Sequence, residues 1–495
     1  MKTIKSLTEA EIAGLPQLSE RWVWVRLDSI GELFCGQSPS IAEVNQEKRG
    51  VPYVTGPEQW DGSKIKETKW TEFPKRLVPE GCIFITVKGA GVGKIFPGVS
   101  CAIGRDIYAF LPSSKVDFKY TLHAIKHQID VLIMKAQGDI PGLSKNHILD
   151  HVIGLCSIEE QRAIVSKIEQ LFSELDNGIS NLKLAQEQLK VYRQAVLKKA
   201  FEGELTKKWR EQQTDLPDAR ELREHIGKER EEAAKKSGKK LKSINSLTEV
   251  KLSNLPKGWK WTRLGNLVEE PKYGTSKKCD YNINGIGVLR IPNISDGLIN
   301  DSDLKFAQFD STEIENYHLK AGDILTIRSN GSVDLVGKCA LVSTKDEKHL
   351  YAGYLIRLRP ISPLINSKYL LNCLSSIDLR YQIESKAKST SGVNNINSGE
   401  LQSLIIPFCS LPEQQAIVQE IETRLSVCDK IEQDIETNLE KAEALRQSIL
   451  KKAFEGKLLN ERELAEVRGA EDWEPAEVLL ERIKAEKAQN GKKIH

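Results

Sequence analysis

A chain written twice must fold as two like units, and this chain is written twice. Glu160-Gln161-Arg162-Ala163-Ile164-Val165 returns as Glu413-Gln414-Gln415-Ala416-Ile417-Val418. Leu197-Lys198-Lys199-Ala200-Phe201-Glu202-Gly203 returns unchanged as Leu450-Lys451-Lys452-Ala453-Phe454-Glu455-Gly456. Both pairs lie 253 residues apart, so the segment between the two motifs has kept its length. Upstream, Trp22-Val23-Trp24-Val25-Arg26-Leu27 matches Trp259-Lys260-Trp261-Thr262-Arg263-Leu264, and Leu15-Pro16 matches Leu255-Pro256. A weaker echo links Leu216-Pro217-Asp218-Ala219 to Glu474-Pro475-Ala476-Glu477. Each copy therefore runs leader, variable block, repeated segment and charged tail. The divisions fall at residues 1–21 (leader), 22–157 (first block), 158–204 (first repeated helix), 205–258 (charged linker and second leader), 259–411 (second block), 412–457 (second repeated helix) and 458–495 (charged tail).

The repeated segment carries apolar residues at alternating spacings of three and four, the mark of a heptad seam. The expected seam positions are Ile168, Leu175, Leu182, Leu189 and Val196, with Ile421, Ile431, Ile435, Leu445 and Ile449 in the second copy. Pro412 stands just before the second helix, and Gly203 and Gly456 stand just past each end, as start and stop signals. About 40 residues at ~1.5 Å each give a rod of roughly 60 Å. That is long for one compact domain, and two matching seams can bury each other, so a coiled coil is expected.

The variable blocks read as loop-rich α+β domains. Cys82–Val87, Val288–Ile291, Asp323–Ile327 and Tyr351–Leu358 are strand-like, while Tyr120–Met134 and Lys368–Ser376 have helical character. The stretches 205–246 and 461–495 are charged and poor in aromatics, and are expected to be solvated. No apolar run approaches the ~18 residues of a membrane span, and the N-terminus has no apolar signal core. The nine cysteines form no CxxC pair and are expected to be reduced thiols of a cytoplasmic protein. A net charge of +3 neither demands nor excludes nucleic acid, so any cationic surface must be local.

Motifs for catalysis fall short. Gly89-Ala90-Gly91-Val92-Gly93-Lys94 has three residues where a phosphate loop needs four, and Ile95 follows in place of Ser or Thr. A glycine-rich turn between strands is the expectation. Glu67-Thr68-Lys69 echoes a nuclease core only faintly. The pairs His123/His127 and His147/His151 have helical spacing but lack further ligands for a metal. No cofactor signature is present, so catalytic and metal residues are expected to be none.

Taken together, two variable blocks each followed by a helix opening Glu-Gln-x-Ala-Ile-Val and closing Leu-Lys-Lys-Ala-Phe-Glu-Gly resemble the specificity subunit of type I restriction–modification enzymes. The resemblance covers nearly the whole chain. It implies two α+β target recognition domains held apart by a long antiparallel two-helix coiled coil, with an internal pseudo-two-fold repeat. Each domain would read one half of an asymmetric double-stranded DNA site, and the coil would set the spacer. Two methyltransferase subunits and two motor-nuclease subunits would be the partners. S-adenosylmethionine, and ATP with magnesium, would be bound by those subunits and not by this chain. An autonomous restriction or methylation enzyme, and a coiled-coil scaffold without DNA, are the rival readings.

Base reading needs polar side chains on loops that reach groove edges. In the first block the candidates are Gln59, Lys64, Lys88, Lys94, Arg105, Ser144, Lys145 and Asn146, with Gln137-Gly138-Asp139 nearby. In the second block they are Tyr273, Thr275, Lys277, Arg290, Asn293, Arg328, Asn330, Lys338, Ser389, Thr390, Asn394 and Asn395. Trp22 and Trp259 are read as core anchors.

Overall fold

The computed structural model describes residues 7–89, 91–134, 142–237, 252–390 and 392–492, together with residues 244 and 247. The chain divides into two compact units: Met1–Leu182 with Glu436–His495, and Lys183–Ile435.

In the first unit, strand Val23–Arg26 pairs antiparallel with Val152–Leu155, so the two ends of the variable block are tied together. A four-stranded antiparallel sheet follows the order Gly31–Cys35, Ile107–Pro112, Ile83–Thr86, Ile95–Pro97. All four residues of Ile83–Thr86 are buried, as a strand covered on both faces requires. A second, five-stranded sheet is built on Val51–Val54 and Cys101–Ile103, which run parallel.

The second unit repeats the plan. Lys260–Arg263 pairs with Ile405–Phe408, and a four-stranded sheet has the order Lys272–Tyr273, Leu355–Leu358, Ile324–Ile327, Cys339–Leu341. It adds a three-stranded ribbon absent from the described part of the first unit: Ser329–Asn330, Val393–Asn395, Lys388–Thr390. The class is α+β, as expected. Two expected elements are broken. Tyr351–Leu358 turns at Gly353-Tyr354, and Tyr120–Met134 divides into helices Phe118–His127 and Ile129–Met134.

The repeated motifs bind each domain to the long helices Ile158–Phe201 and Leu411–Phe454. In the first unit, Glu160 accepts the Trp22 indole N–H at 2.7 Å. Gln161 accepts the N–H of Asp117, the N-cap of helix Phe118–His127, and donates to the Cys156 carbonyl. The second unit has the same bonds: Trp259 to Glu413 at 2.9 Å, and Gln414 with the N–H of the N-cap Asn366 and the carbonyl of Cys409. The closing motif supplies an aromatic edge. Phe454 meets Tyr120 at 5.4 Å, and Phe201 meets Tyr369 at 5.3 Å. Gly203 and Gly456 then take left-handed backbone (φ 77° and 72°) at helix ends closed by i to i−5 hydrogen bonds, geometry that favours glycine.

Within each unit the start of one long helix packs with the end of the other. Ile164, Val165 and Ile168 share a core with Ile449, Leu450 and Ala453. Val196, Leu197 and Ala200 share one with Ile417, Val418 and Ile421. The pairing is therefore antiparallel.

Of the expected seam, Ile168, Val196, Ile421, Ile435 and Ile449 are buried, and Leu175, Leu182 and Leu189 are half-buried. Ile431 and Leu445 are not in the seam, being 42% and 51% exposed. The next residues, Glu432 and Arg446, turn inward instead, and each joins an ion pair across the helices. Arg193 bonds Asp429 at 2.7 Å and Glu432 at 2.9 Å, while Arg446 bonds Asp176 and lies over the Phe172 ring at 4.5 Å. Arginine stems fill seam positions there and leave the apolar neighbours outside.

The charged tails are corrected too: they are not simply solvated. Helix Ala219–Ser237 buries Ala219, Leu222 and Ile226 in the second unit's core, and Leu479 and Ile483 of the C-terminal helix enter the first unit's core. Arg210 reaches Glu413 at 2.7 Å and Arg468 reaches Glu160 at 2.7 Å. Lys487 donates to the carbonyls of Asp28 and Gly31, at the end of the short helix Leu27–Ile30.

Candidate nucleic-acid interface

In the first unit the glycine-rich segment is a hairpin loop between strands Ile83–Thr86 and Ile95–Pro97, with Gly89 and Gly93 at positive φ. Lys88 and Lys94 stand exposed on it. They rim a cleft of about 490 Å³, shared with Thr55, Glu58, Thr86 and Asp106. Arg105 is exposed beside Asp106. Lys64 is exposed on a turn whose Asp61 carboxyl is pushed down to about 2 by the Lys64 and Ser63 N–H groups and the Ser63 hydroxyl. Ser144 caps helix Lys145–Leu149, and Lys145 and Asn146 are exposed on its first turn. Gln137-Gly138-Asp139 lies outside the described residues.

Gln59 leaves the candidate set. It is 2% exposed, its amide donates to the Tyr53 carbonyl, and its oxygen accepts the Thr55 N–H. It holds a buried turn together.

In the second unit Ser389, Thr390, Asn394 and Asn395, expected on loops, lie instead on paired strands. Lys388–Thr390 and Val393–Asn395 pair as a hairpin, with Ser389 opposite Asn394, and the hairpin pairs with Ser329–Asn330. Asn330, Asn394 and Asn395 are half-buried on this ribbon. Asn394 donates to the Gly331 carbonyl at 3.0 Å, and Asn330 accepts the Ser332 N–H. Arg328 lies at its base, with its guanidinium 4.6 Å from the centroid of the Tyr273 ring and its Nε donating to Asn395 at 3.2 Å. The Tyr273 hydroxyl accepts the Ser398 N–H at 3.0 Å. Tyr354, missed in the sequence, is exposed at the turn whose carbonyl accepts the Arg328 N–H. A β-ribbon of this kind is one of the two shapes a major groove admits.

Other candidates in this block are occupied elsewhere. Asn293 is 1% exposed and donates to the Asn300 and Asp303 carbonyls, so it too leaves the set. Thr275 is buried, its hydroxyl accepting the Lys277 N–H. Arg290 pairs with Asp303 at 3.1 Å, and Lys277 with Glu313 at 2.6 Å. Lys338 is exposed, but lines a cleft of about 660 Å³ beside Ile421, Glu422 and Leu425 of the long helix.

No group of three or more His, Cys, Asp or Glu residues suited to a metal is found among the described residues. Burial pushes the Cys82 and Cys101 thiols up to about 12, which makes them packing residues, not nucleophiles. His127 stacks on Phe454 and His123 meets the Phe172 ring edge-on. Among the described residues no helix is long and apolar enough to cross a membrane.

Each unit is thus a tied-off α+β domain keyed to a long antiparallel helix pair, and the two carry differing polar faces. The model of the type I restriction modification DNA specificity domain matches the chain twice, over residues 19–184 and 256–441, and the chain belongs to that family. Among curated relatives, the specificity subunit of the type I restriction enzyme StySPI of Salmonella potsdam is 27% identical over 396 residues, 79% of this chain and 77% of that one. The EcoBI specificity subunit of Escherichia coli is 24% identical over 508 residues, covering 99% and 98%. The fold is shared with a chain solved in work on assembly and conformational transition of the type I R-M system (TM-score 0.64, 18% identity, 90% of this chain and 100% of that one). It is shared too with the HsdS subunit of Thermoanaerobacter tengcongensis (TM-score 0.54, 18% identity, 90% and 99%).

Proposed function

We propose that this chain is the DNA-reading subunit of a type I restriction–modification complex and not its catalyst. Each domain reads one half of an asymmetric bipartite site. The first uses the Lys64, Lys88, Lys94, Arg105 and Ser144–Asn146 surfaces, and the second uses the ribbon with Arg328, Asn330, Ser389, Thr390, Asn394 and Asn395. The long helices set the spacer and seat two methyltransferase subunits, and two motor-nuclease subunits complete the assembly. S-adenosylmethionine, and ATP with magnesium, belong to those partners, and the complex works in the cytoplasm. The observation that carries this reading is a family match repeated in both copies, whose frames repeat the Trp–Glu and Gln–N-cap bonds while their polar faces differ.

The test is reconstitution with the methyltransferase subunit. The complex should methylate a duplex carrying a two-part site, and its binding should weaken steeply with salt as phosphate counterions are released. Methyl transfer by the purified chain alone, or binding indifferent to salt, would overturn the proposal.

A further inference from the structure

Resting on the reading above, we propose that Arg328 reads a guanine in the half-site of the second domain, with Tyr273 and Asn395 as the residues that position it. The residue range 259–411 contains six arginines. Five are tied to carboxylates or main-chain carbonyls: Arg263 to Ser403, Arg290 to Asp303, Arg357 to His318, Arg359 to Asp323, and Arg380 to Val336 and Glu384. Arg328 differs. Among the described residues no carboxylate pairs with it, and its one side-chain bond is from Nε to Asn395. The ring of Tyr273 supports the guanidinium plane at 4.6 Å, an arrangement favourable for a delocalised cation. The backbone is fixed on both sides: its N–H donates to Tyr354 at 2.8 Å, and its carbonyl accepts the Ile396 N–H at 2.9 Å.

A guanidinium held at Nε and against a ring keeps its terminal pair of N–H groups for something else. Two parallel donors at the base of a groove-sized ribbon match the O6 and N7 acceptors of guanine, the commonest bidentate base contact. Pre-ordering the side chain lowers the entropy lost on binding. Among the described residues the first unit has no counterpart. Aligning the sheets places Val87 at this position: its N–H donates to Asp106 as that of Arg328 does to Tyr354, and Lys88 bridges Gly142 as Ser329 pairs with Asn395. Val87 is buried.

The experiment uses the full chain complexed with its methyltransferase subunit, and duplexes in which each base pair of the methylated site is replaced in turn. The wild type should lose about 5- to 150-fold in affinity at one G·C pair of the second half-site, the range of a bidentate contact. Arg328→Ala should abolish discrimination at that pair alone. Arg328→Lys keeps the charge but not the planar fork, and should lose most of that discrimination at an unchanged salt slope. Tyr273→Leu should weaken discrimination at the same pair by a smaller factor, which provides a second reading should Arg328→Ala fail to fold. Full discrimination in Arg328→Ala, relaxation at an A·T pair, or equal weakening on every duplex would overturn the assignment. A wild-type complex with no preferred duplex would overturn the proposed function, and this inference with it.

Discussion

The two recognition domains differ where they face outward and agree where they face the helices. Trp22, Tyr120, Glu160 and Gln161 of the first have Trp259, Tyr369, Glu413 and Gln414 of the second in the same bonds, including Tyr120 to the Gly154 carbonyl and Tyr369 to that of Pro407. Even the surface pair Lys119–Glu169 recurs as Lys368–Glu422. Against this, Val87 stands where the second domain has Arg328, and Gly142 where it has Asn395. A frame whose bonds are all internal can stay fixed while the segments at the far edge of the sheet differ between the copies, because those segments carry none of the bonds that tie each domain to the helices.

The largest effect should come from the frame. Glu413→Ala removes the acceptor of the Trp259 indole and of Arg210, leaving that cation half-buried and unpaired, and should destabilise the second unit by about 3–5 kcal/mol. Glu160→Ala should do the same to the first unit through Trp22 and Arg468. Thermal unfolding checks both, and an unequal response would break the equivalence of the frames.

The ruler comes next. Inserting one heptad after Leu182 and one after Ile435 keeps the seam in phase and lengthens each helix by ~10 Å. Methylation should move to a site with a spacer about three base pairs longer, or cease because the second head has rotated out of its groove. Full activity on the original spacing would leave the helices only a docking role.

A smaller difference lies in pH. Burial pushes His123 down to about 4, with Lys126 adding to the effect, and the residue at the same place on the matching helix of the second unit, counted from the N-caps Asp117 and Asn366, is Asn372. A histidine kept neutral by folding favours the native state above its unfolded pKa of about 6.5. That contribution declines as pH falls from there towards 4. His123→Leu should flatten this decline in the first unit, measured by denaturation between pH 7 and 4; an unchanged slope would mean that another group controls it.

What could be read in advance follows physical range. The long helices and their breaks are local periodicity plus glycine, and both were legible. The seam failed at Ile431 and Leu445 because the rule assigns apolar residues inward, whereas Arg193 and Arg446 bring aliphatic stems and paired charges to the seam. The burial of the tails is hard to read because, among the described residues, the fully buried apolar ones are just Ala219, Leu222 and Ile226 in one and Ala476, Leu479 and Ile483 in the other, set among many charges. Gln59 and Asn293 look like readers in the sequence because an amide suits a buried turn as well as a base edge. The ribbon went unseen because Lys388–Asn395 has no apolar alternation; its pairing partner, Ser329–Asn330, lies some sixty residues away.

The central claim is that one fixed frame carries two independent readers. Its most direct measurement is methylated-base sequencing of cells that carry the complex with Lys88→Ala and Lys94→Ala together, or with Asn394→Ala and Asn395→Ala together. Each double variant should relax or weaken only the half-site of its own domain, leaving the other half-site and the spacer as in wild type. A variant in one domain that alters the bases read by the other would contradict the account.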